Sequence, residues 1–247
     1  MSLSAPQREA YDREGYLVVD RVLEPARREE LSRRVWDLVH AAEEGRQSKE
    51  RVLFEPGSTA AATAVKPAIR KLSSLVAEGE FFQQIARDPF ILDLVAEMTG
   101  GAKSIYLYND QVFLKPAFCG SEKPLHQDNS YFRVTPHSHG VTCWVAIDEA
   151  TEENGCLNYI PGSHKLGLVK HREIPQTPHH VPDVDFPLGR EVPAPVPAGG
   201  AVFHHLLCMH SSKANQSPHP RRAWALHYVN GAAACPSRKF EEMFRVR

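Results

Sequence analysis

The sequence predicts a mainly β domain, a sandwich or jelly-roll barrel, with helices packed outside it. After Gly101, short β-prone runs alternate with Pro, Gly and Asn: KSIYLYN, QVFLK, GVTCWVAID, GCLNYIP, AVFHHLL and RAWALHYVN. Before about Gly100, the apolar residues recur mostly with a helical period. The chain has 247 residues, which suits one such domain with helical additions. We therefore predict a single domain over 1–247, with helical support from 1–100 and the β core from 101–235.

The helical half contains two strong amphipathic stretches. PARREELSRRVWDLVHAAEE begins with Pro25, which suits a first turn, and EFFQQIARDPFILDLVAEMTGG predicts a new helix start at Pro89. The first stretch places four apolar residues on one face: Leu31, Val35, Leu38 and Val39. Within this half only GYLVVD, residues 15–20, reads as a strand, and GSTAAATAVKP, residues 57–67, reads as a loop or an unstable helix.

A Pro- and His-rich stretch interrupts the β half. It runs from Lys170 to Gly200 and predicts a long loop with one edge strand. Loops of this length are often functional, so we expect it to contribute to substrate selection.

Charge and cysteine usage exclude several classes of protein. The 29 Lys+Arg balance 30 Asp+Glu and the charges are scattered, which argues against a nucleic-acid or anionic-membrane partner and favours a small-molecule partner. The N-terminus lacks an apolar signal core, and no run approaches the roughly 20 apolar residues of a membrane span, so we expect a soluble, cytoplasmic protein. Five cysteines without a CxxC pair argue against a disulfide framework and a zinc knuckle. The sequence gives no signal for the oligomeric state.

The stretch PLHQDNSYF, residues 124–132, contains the first candidate ligands. If it is extended, His126 and Asp128 face the same side. An imidazole and a carboxylate suit a divalent metal, and two histidines with one carboxylate form the facial triad of non-haem iron oxygenases. Alone, an HxD triplet is a weak signal that occurs by chance in many proteins.

A second patch, VFHHLLCMHSSKANQSPHPRRAWALHY at 202–228, supplies candidates for the missing histidine. These candidates are His204, His205, His210, His219 and His227. His204 and His205 fit simple alternation within a strand, whereas a pair of arginines, Arg221 and Arg222, begins an apolar strand shortly after His210. A guanidinium near a bound metal can pair with the carboxylate of an acidic co-substrate.

Taken together, these motifs resemble the phytanoyl-CoA dioxygenase family of Fe(II)- and 2-oxoglutarate-dependent oxygenases. The matching motifs are HQD, WVAIDEATEENGCLNYIPGSHKLG, HSSKANQS and RRA, together with QREAYDREGYLVVDRVL near the N-terminus. The resemblance covers nearly the whole chain. It implies a double-stranded β-helix, that is, a jelly-roll or cupin-like barrel, and the use of Fe(II), 2-oxoglutarate and O2.

The resemblance also implies roles for individual residues. His126, Asp128 and His210 would be the metal ligands and the catalytic centre. Five further residues match positions that contact the co-substrate in relatives: Arg221, Ser212, Trp144, Gln111 and Lys71. Only one of the adjacent arginines should enter the pocket, and the spacing from His210 favours Arg221 over Arg222. The residues after the HxD triplet are candidate substrate contacts: Asn129, Tyr131 and Phe132.

The implied reaction is hydroxylation, or another oxidation, of an unactivated C–H bond of a small molecule, with release of succinate and CO2. Related halogenases have a small residue at the carboxylate position, so Asp128 argues against halogenation. Two alternatives remain: a non-oxygenase metal enzyme on a cupin-like barrel, or an inactive binding protein. Both alternatives predict that 2-oxoglutarate does not bind. The sequence does not identify the substrate.

Overall fold

A computed structural model describes residues 2–56, 68–175, 179–184 and 188–247. The predicted loop or unstable helix at 57–67 lies outside the described residues, as do parts of the long stretch between 170 and 200. Among the described residues, none of the helices combines the length and the apolar character needed to cross a lipid bilayer.

Most helices lie in the first hundred residues. The helices are α1 (Ala5–Glu14), α2 (Pro25–Glu43), α3 (Glu80–Ala86), α4 (Pro89–Met98) and the short α5 (Asn129–Phe132). A capping box between Ser4 and Gln7 begins α1, and the Asp88 side chain accepts hydrogen bonds from the first backbone N–H groups of α4. Pro25 and Pro89 occupy first-turn positions, as the sequence predicts.

The strands in chain order are β1 (Tyr16–Val19), β2 (Val52–Phe54), β3 (Ile69–Ser73), β4 (Ile105–Lys115), β5 (Lys123–His126), β6 (Gly140–Ala146), β7 (Leu157–Tyr159), β8 (His171–Glu173), β9 (His180–Pro182), β10 (Val192–Ala194), β11 (Ala201–His205), β12 (His210–Ser212), β13 (Arg221–Asn230) and β14 (Phe244–Arg245). The main sheet has the order β1-β11-β6-β13-β4-β3-β2, with β14 also on β4. The minor sheet has the order β10-β7-β12-β5, and β8 and β9 form a separate hairpin.

Three parts of this pattern differ from the sequence prediction. Strands β2 and β3 lie in the half that was expected to contain only one strand. KSIYLYN and QVFLK form one strand, β4, because the Asp110 carboxylate in the middle accepts hydrogen bonds from Leu75 N and Trp224 Nε1 instead of starting a turn. The stretch from 170 to 200 contains the predicted edge strand, β10 at the edge of the minor sheet, and in addition the hairpin of β8 and β9.

The main sheet separates two different environments. Alternate residues of β13 face the helices on its outer side and pack into the largest core cluster, which includes Trp224, Leu226 and Tyr228. The intervening residues Ala223 and Ala225 face the minor sheet and join a second core cluster. The two sheets therefore pack face to face, and the space between them is open to side chains from both.

Candidate active site

Three candidate metal ligands converge between the two sheets. His126 ends β5 and lies directly opposite His210 of β12 in the antiparallel ladder. Asp128 does not continue the strand, although the HxD spacing predicts an extended segment there. It has helical backbone angles of φ −56° and ψ −36° and precedes α5. The ligating atoms of His126, Asp128 and His210 nevertheless all lie within 4.8 Å of one another, and the three residues are buried.

Backbone carbonyls orient both imidazoles toward the carboxylate. The Nδ1 of His126 lies 2.9 Å from Pro124 O, and the Nδ1 of His210 lies 3.0 Å from Cys208 O. A carbonyl only accepts, so each Nδ1 carries the proton and each Nε2 has a free lone pair. These Nε2 atoms lie 3.5 Å and 3.7 Å from Asp128 Oδ1. Two neutral imidazoles and one carboxylate oxygen thus face a common point, which is the donor set that suits Fe(II).

The second oxygen of Asp128 is held by a hydrogen-bond network. Oδ2 accepts from Thr142 Oγ1 at 2.7 Å and from His204 Nε2 at 3.0 Å. Tyr159 Oη lies 2.8 Å from His204 Nδ1, and His227 Nδ1 lies 2.9 Å from Thr142 Oγ1, so the network has one consistent set of donors. Oδ1 is left for a metal, and such outer contacts fix the ligand and tune its affinity.

From the sequence, His204 and His227 were candidates only for the third metal ligand, and no network residue was predicted as a hydrogen-bond partner of Asp128. His204 and His227 belong to the second patch, and Thr142 and Tyr159 lie in predicted strands. Alternation in β6, β11 and β13 places Thr142, His204 and His227 on the inner face, but no local signal assigns a hydrogen-bond partner to a polar residue on such a face.

Burial and the surrounding charges determine the protonation states. Burial alone would raise the pKa of Asp128, but the surrounding imidazoles of His210, His126 and His204, of which His204 donates a hydrogen bond to the carboxylate, hold this pKa well below its usual value. Burial, with a contribution from His126, lowers the pKa of His210 to about 4. The pKa of His126 is also lowered, mainly by burial and then by Lys123. The carboxylate is therefore ionised and the imidazoles are neutral at pH 7.

A cavity of about 450 Å³ opens onto the triad, within the range of roughly 300–1,000 Å³ that is usual for small-molecule sites. All but one of the predicted site residues line it: His126, Asp128, His210, Arg221, Ser212, Trp144, Gln111, Lys71, Tyr131 and Phe132. Lys71 lies on strand β3 rather than in the helical context expected from the sequence.

Asn129 is the predicted site residue that does not line the cavity. It is fully buried, and its side-chain amide donates to Val134 O at 3.0 Å while its carbonyl accepts from Val134 N at 2.8 Å. These two hydrogen bonds hold the turn that follows α5. The donor and acceptor groups of the Asn129 side chain are therefore not available to a ligand in the cavity.

The adjacent arginines have opposite environments. Arg221 is buried and lies over the Trp144 ring at 5.2 Å, yet its Nε and Nη1 have no hydrogen-bond partner among the described residues. Burial lowers its pKa to about 10. Arg222 faces the helices, where it pairs with both oxygens of Asp148 and donates to Ser32. A buried guanidinium that lacks partners costs free energy, and a carboxylate entering the cavity would supply them.

Acidification should destabilise the metal-free protein below about pH 6.5. Burial is the main cause that lowers the pKa of His204, of His205 and of His227 to about 4. Between pH 4 and 6.5 the unfolded chain binds more protons than the folded one, so stability falls as pH falls. We expect the unfolding temperature of EDTA-treated protein to decrease steadily from pH 7 to pH 5. A constant value over that interval would contradict the neutral, buried state of these rings.

The fold and the site together define a class: a jelly-roll oxygenase with a non-haem iron centre. The chain belongs to the phytanoyl-CoA dioxygenase family, whose profile, described as Phytanoyl-CoA dioxygenase (PhyH), matches residues 11–223. The predicted family and fold class are thus confirmed. A probable phytanoyl-CoA dioxygenase of Caenorhabditis elegans is 27% identical over 241 residues, which are 92% of this chain and 76% of that protein. The chain spans only about half of the length of several further curated relatives.

Solved structures share the fold at low identity. EctD from S. alaskensis, crystallised with 2-oxoglutarate and 5-hydroxyectoine, superposes with a TM-score of 0.74 at 23% identity over 92% of this chain and 76% of EctD. The epimerase SnoN, in complex with Fe3+, alpha ketoglutarate and nogalamycin RO, gives a TM-score of 0.71 at 22% identity, covering 93% of this chain and 84% of SnoN. Proteins with this fold therefore include an epimerase, so the fold alone does not determine the reaction.

Proposed function

We propose that this protein is an Fe(II)- and 2-oxoglutarate-dependent dioxygenase that hydroxylates, or otherwise oxidises, an unactivated C–H bond of a small molecule and releases succinate and CO2. The observation that carries the proposal is Arg221. Its buried guanidinium lines the same cavity as His126, Asp128 and His210 and has two nitrogen atoms without partners among the described residues. A metal enzyme that does not use 2-oxoglutarate has no need for such a group.

The residues that line the cavity would have separate roles in binding the metal and the co-substrate. His126, Asp128 and His210 would hold Fe(II), which supplies the activation of O2 coupled to decarboxylation of 2-oxoglutarate. Arg221 would pair with the distal carboxylate of the co-substrate. The hydroxyl of Ser212, two residues after His210 on β12, would donate a hydrogen bond to the same carboxylate.

Further residues of the cavity would keep the co-substrate oriented. The Trp144 ring lies under the Arg221 guanidinium and limits its movement. Gln111 and Lys71, from neighbouring strands β4 and β3, would add polar contacts from the main sheet. Because these side chains come from paired strands, their positions depend on the register of the sheet and not on a mobile loop.

The side chain of Asp128 limits the range of oxidations. A carboxylate at this position would itself be a metal ligand and would leave no place there for a halide, so we assign an oxygenation and not a halogenation. Two histidines and one carboxylate suit an oxygenase of either kind, so the proposal covers hydroxylation and other C–H oxidations.

Anaerobic titration tests the proposed function directly. Adding Fe(II) and then 2-oxoglutarate to the protein should produce the visible charge-transfer band of the chelate, and admission of air should then yield succinate. The band should be absent from His126→Ala and present in His219→Ala, which changes an exposed histidine of the second patch. Failure of the wild-type protein to form the band at saturating concentrations would exclude a 2-oxoglutarate-dependent reaction.

Loss of the Thr142 hydroxyl should weaken metal binding without removing a ligand. Thr142→Val keeps the shape of the side chain but removes the hydrogen bond to Asp128 Oδ2 and the acceptor for His227 Nδ1. We expect Fe(II) affinity to fall about 10- to 100-fold, the usual effect of losing an outer contact to a metal ligand. Equilibrium dialysis against a competing chelator measures this effect. Unchanged affinity would mean that Asp128 is oriented without the network.

A further inference from the structure

Three donor side chains form a cluster on the cavity wall that the proposed metal and co-substrate contacts do not use. Lys123, Arg70 and His179, hereafter the Lys123 cluster, all line the cavity. Lys123 Nζ lies 2.9 Å from His179 Nδ1, and Arg70 Nη2 lies 3.4 Å from His179 Nε2. The three residues come from β5, from β3 and from the residue before β9, so the cluster forms only in the folded chain.

A β-bulge brings Lys123 into the cavity together with the metal ligand. In the β5–β12 ladder His126 faces His210, whereas Lys123 faces Ser212, so β5 has one more residue than β12 in this interval. Residues three apart on a regular strand point to opposite sides. The bulge removes this conflict and lets Lys123 and His126 line the same cavity.

The contacts within the Lys123 cluster bring hydrogen-bond donors close to one another. Burial, then Lys123 and Arg70, lower the pKa of His179 to about 4, so its ring is neutral and accepts at only one nitrogen. Both nitrogens nevertheless face a cation. Tyr131 Oη accepts from His180 N at 2.9 Å and from Lys123 Nζ at 3.3 Å, which leaves its own O–H as another donor. Arg70 also donates to Ser121 Oγ and to Glu122 O, so the donors available to a ligand are those of Lys123 Nζ and the Tyr131 hydroxyl. An anion would accept hydrogen bonds from both.

The net charge of the cavity also favours an anionic ligand. With Fe(II) and 2-oxoglutarate bound, the two charges of the ion and that of Arg221 offset Asp128 and the two carboxylates of the co-substrate. Arg70 lies 3.9 Å from Glu55, and burial lowers the pKa of Lys115 to about 6, so neither adds a full charge at pH 7. Lys123 and Lys71 remain, and no carboxylate of the described residues lies within 4.0 Å of either lysine. The loaded cavity therefore keeps an excess of positive charge.

We propose that the Lys123 cluster binds an anionic group of the prime substrate, a carboxylate or a phosphoryl group, so that the substrate is an organic anion. This inference rests on the proposed function, because it describes the molecule that would be oxidised in this cavity. The centre of the Tyr131 ring lies 5.9 Å from that of the His126 ring and 5.2 Å from Lys123 Nζ, so this ring is adjacent to both the metal site and the cluster. The charged end would contact the cluster while an uncharged part of the molecule faces the metal.

Calorimetric titration with simple organic ions tests the proposal. Hexanoate and hexyl phosphate are titrated into the anaerobic Fe(II)–2-oxoglutarate protein, with hexan-1-ol and hexylamine as neutral and cationic controls of the same length. We expect Lys123→Met to weaken binding of the anions by about tenfold or more, since it removes a hydrogen bond to a charged group. Lys123→Arg should retain most of the affinity. Lys165→Met, which changes an exposed lysine, should behave as wild type.

Comparing hexanoate with hexyl phosphate shows whether the cluster prefers a carboxylate or a phosphoryl group. A preference for either group supports the Lys123 cluster as an anion site. Equal affinity of wild type and Lys123→Met for both anions would overturn the proposal. So would binding of hexan-1-ol or hexylamine as tight as that of the anions, or no binding of either anion by the wild type.

A parallel titration separates this proposal from the proposed function. It uses metal-free Arg221→Met protein, which lacks the other anion-binding group and needs no 2-oxoglutarate. Anion binding that depends on Lys123 in that variant supports the cluster even if the charge-transfer band never forms, which would refute only the oxygenase function. A normal band with anion binding that is independent of Lys123 would refute only the cluster.

Discussion

Replacing Arg221 by methionine is expected to weaken 2-oxoglutarate binding at least about 100-fold, because two charge-assisted hydrogen bonds of roughly 1.5 kcal/mol or more each are lost. The stability of the ligand-free protein should not decrease, since the substitution removes a buried charge that has unpartnered nitrogen atoms. Titration of the chelate absorption band gives the affinity, and thermal unfolding gives the stability.

The neighbouring arginine is the matched control and should show the opposite pattern. Arg222→Met breaks the paired contact with Asp148, at 2.6 and 2.8 Å, and two hydrogen bonds to Ser32. We expect a loss of about 2 kcal/mol of stability, less than the roughly 3–5 kcal/mol for a fully buried pair, because Asp148 is partly exposed and regains water. The affinity of the folded protein for 2-oxoglutarate should be unchanged. If Arg222→Met weakened 2-oxoglutarate more than Arg221→Met, the proposed roles of the two arginines would be reversed.

Replacing His210 by alanine should abolish succinate formation. It removes one of the imidazoles that face Asp128 Oδ1, so Fe(II) affinity should fall by more than the roughly 10- to 100-fold that follows loss of an outer contact. The control is His205→Ala, since His205 lies on β11 next to the inward-facing His204 but does not line the cavity. Metal content after dialysis and succinate yield measure both effects. Succinate formation by His210→Ala at the wild-type rate would remove His210 from the ligand set.

The sequence was sufficient to predict which three side chains converge between the sheets, because its signals are local and periodic. An HxD triplet beside a strand and a histidine in a later strand can be found from alternation, and the resemblance to the family selected His210 among several histidines. Alternation also indicated that one arginine of the pair faces inward. It could not choose between Arg221 and Arg222, because that choice depends on the register of β13 against β4 and β6.

The remaining parts of the site depend on long-range contacts that leave no local signal. The bulge in the β5–β12 ladder determines where Lys123 points, and Pro124 in KPLH does not specify it, because proline fits an edge strand as well as a bulge. His179 lies in a stretch that reads as a loop, and its contact with Lys123 joins residues that are 56 positions apart. The sequence also does not show that Asp128 starts a helical turn, although the turn is what moves Asn129 out of the cavity.

The pairing of His126 with His210 has a thermodynamic consequence for the edge of the minor sheet. β5 is the outermost strand of that sheet, and β12 is the strand that it pairs with. An ion held by both histidines would link β5 and β12, which are distant in the chain. It would stabilise their pairing by RT ln(1 + [M]/Kd), where [M] is the free metal concentration and Kd its dissociation constant. Because β5 also carries Lys123, an ion that stabilises this strand would also stabilise the position of the Lys123 ammonium group. Metal binding and anion binding at the Lys123 cluster would therefore be thermodynamically linked.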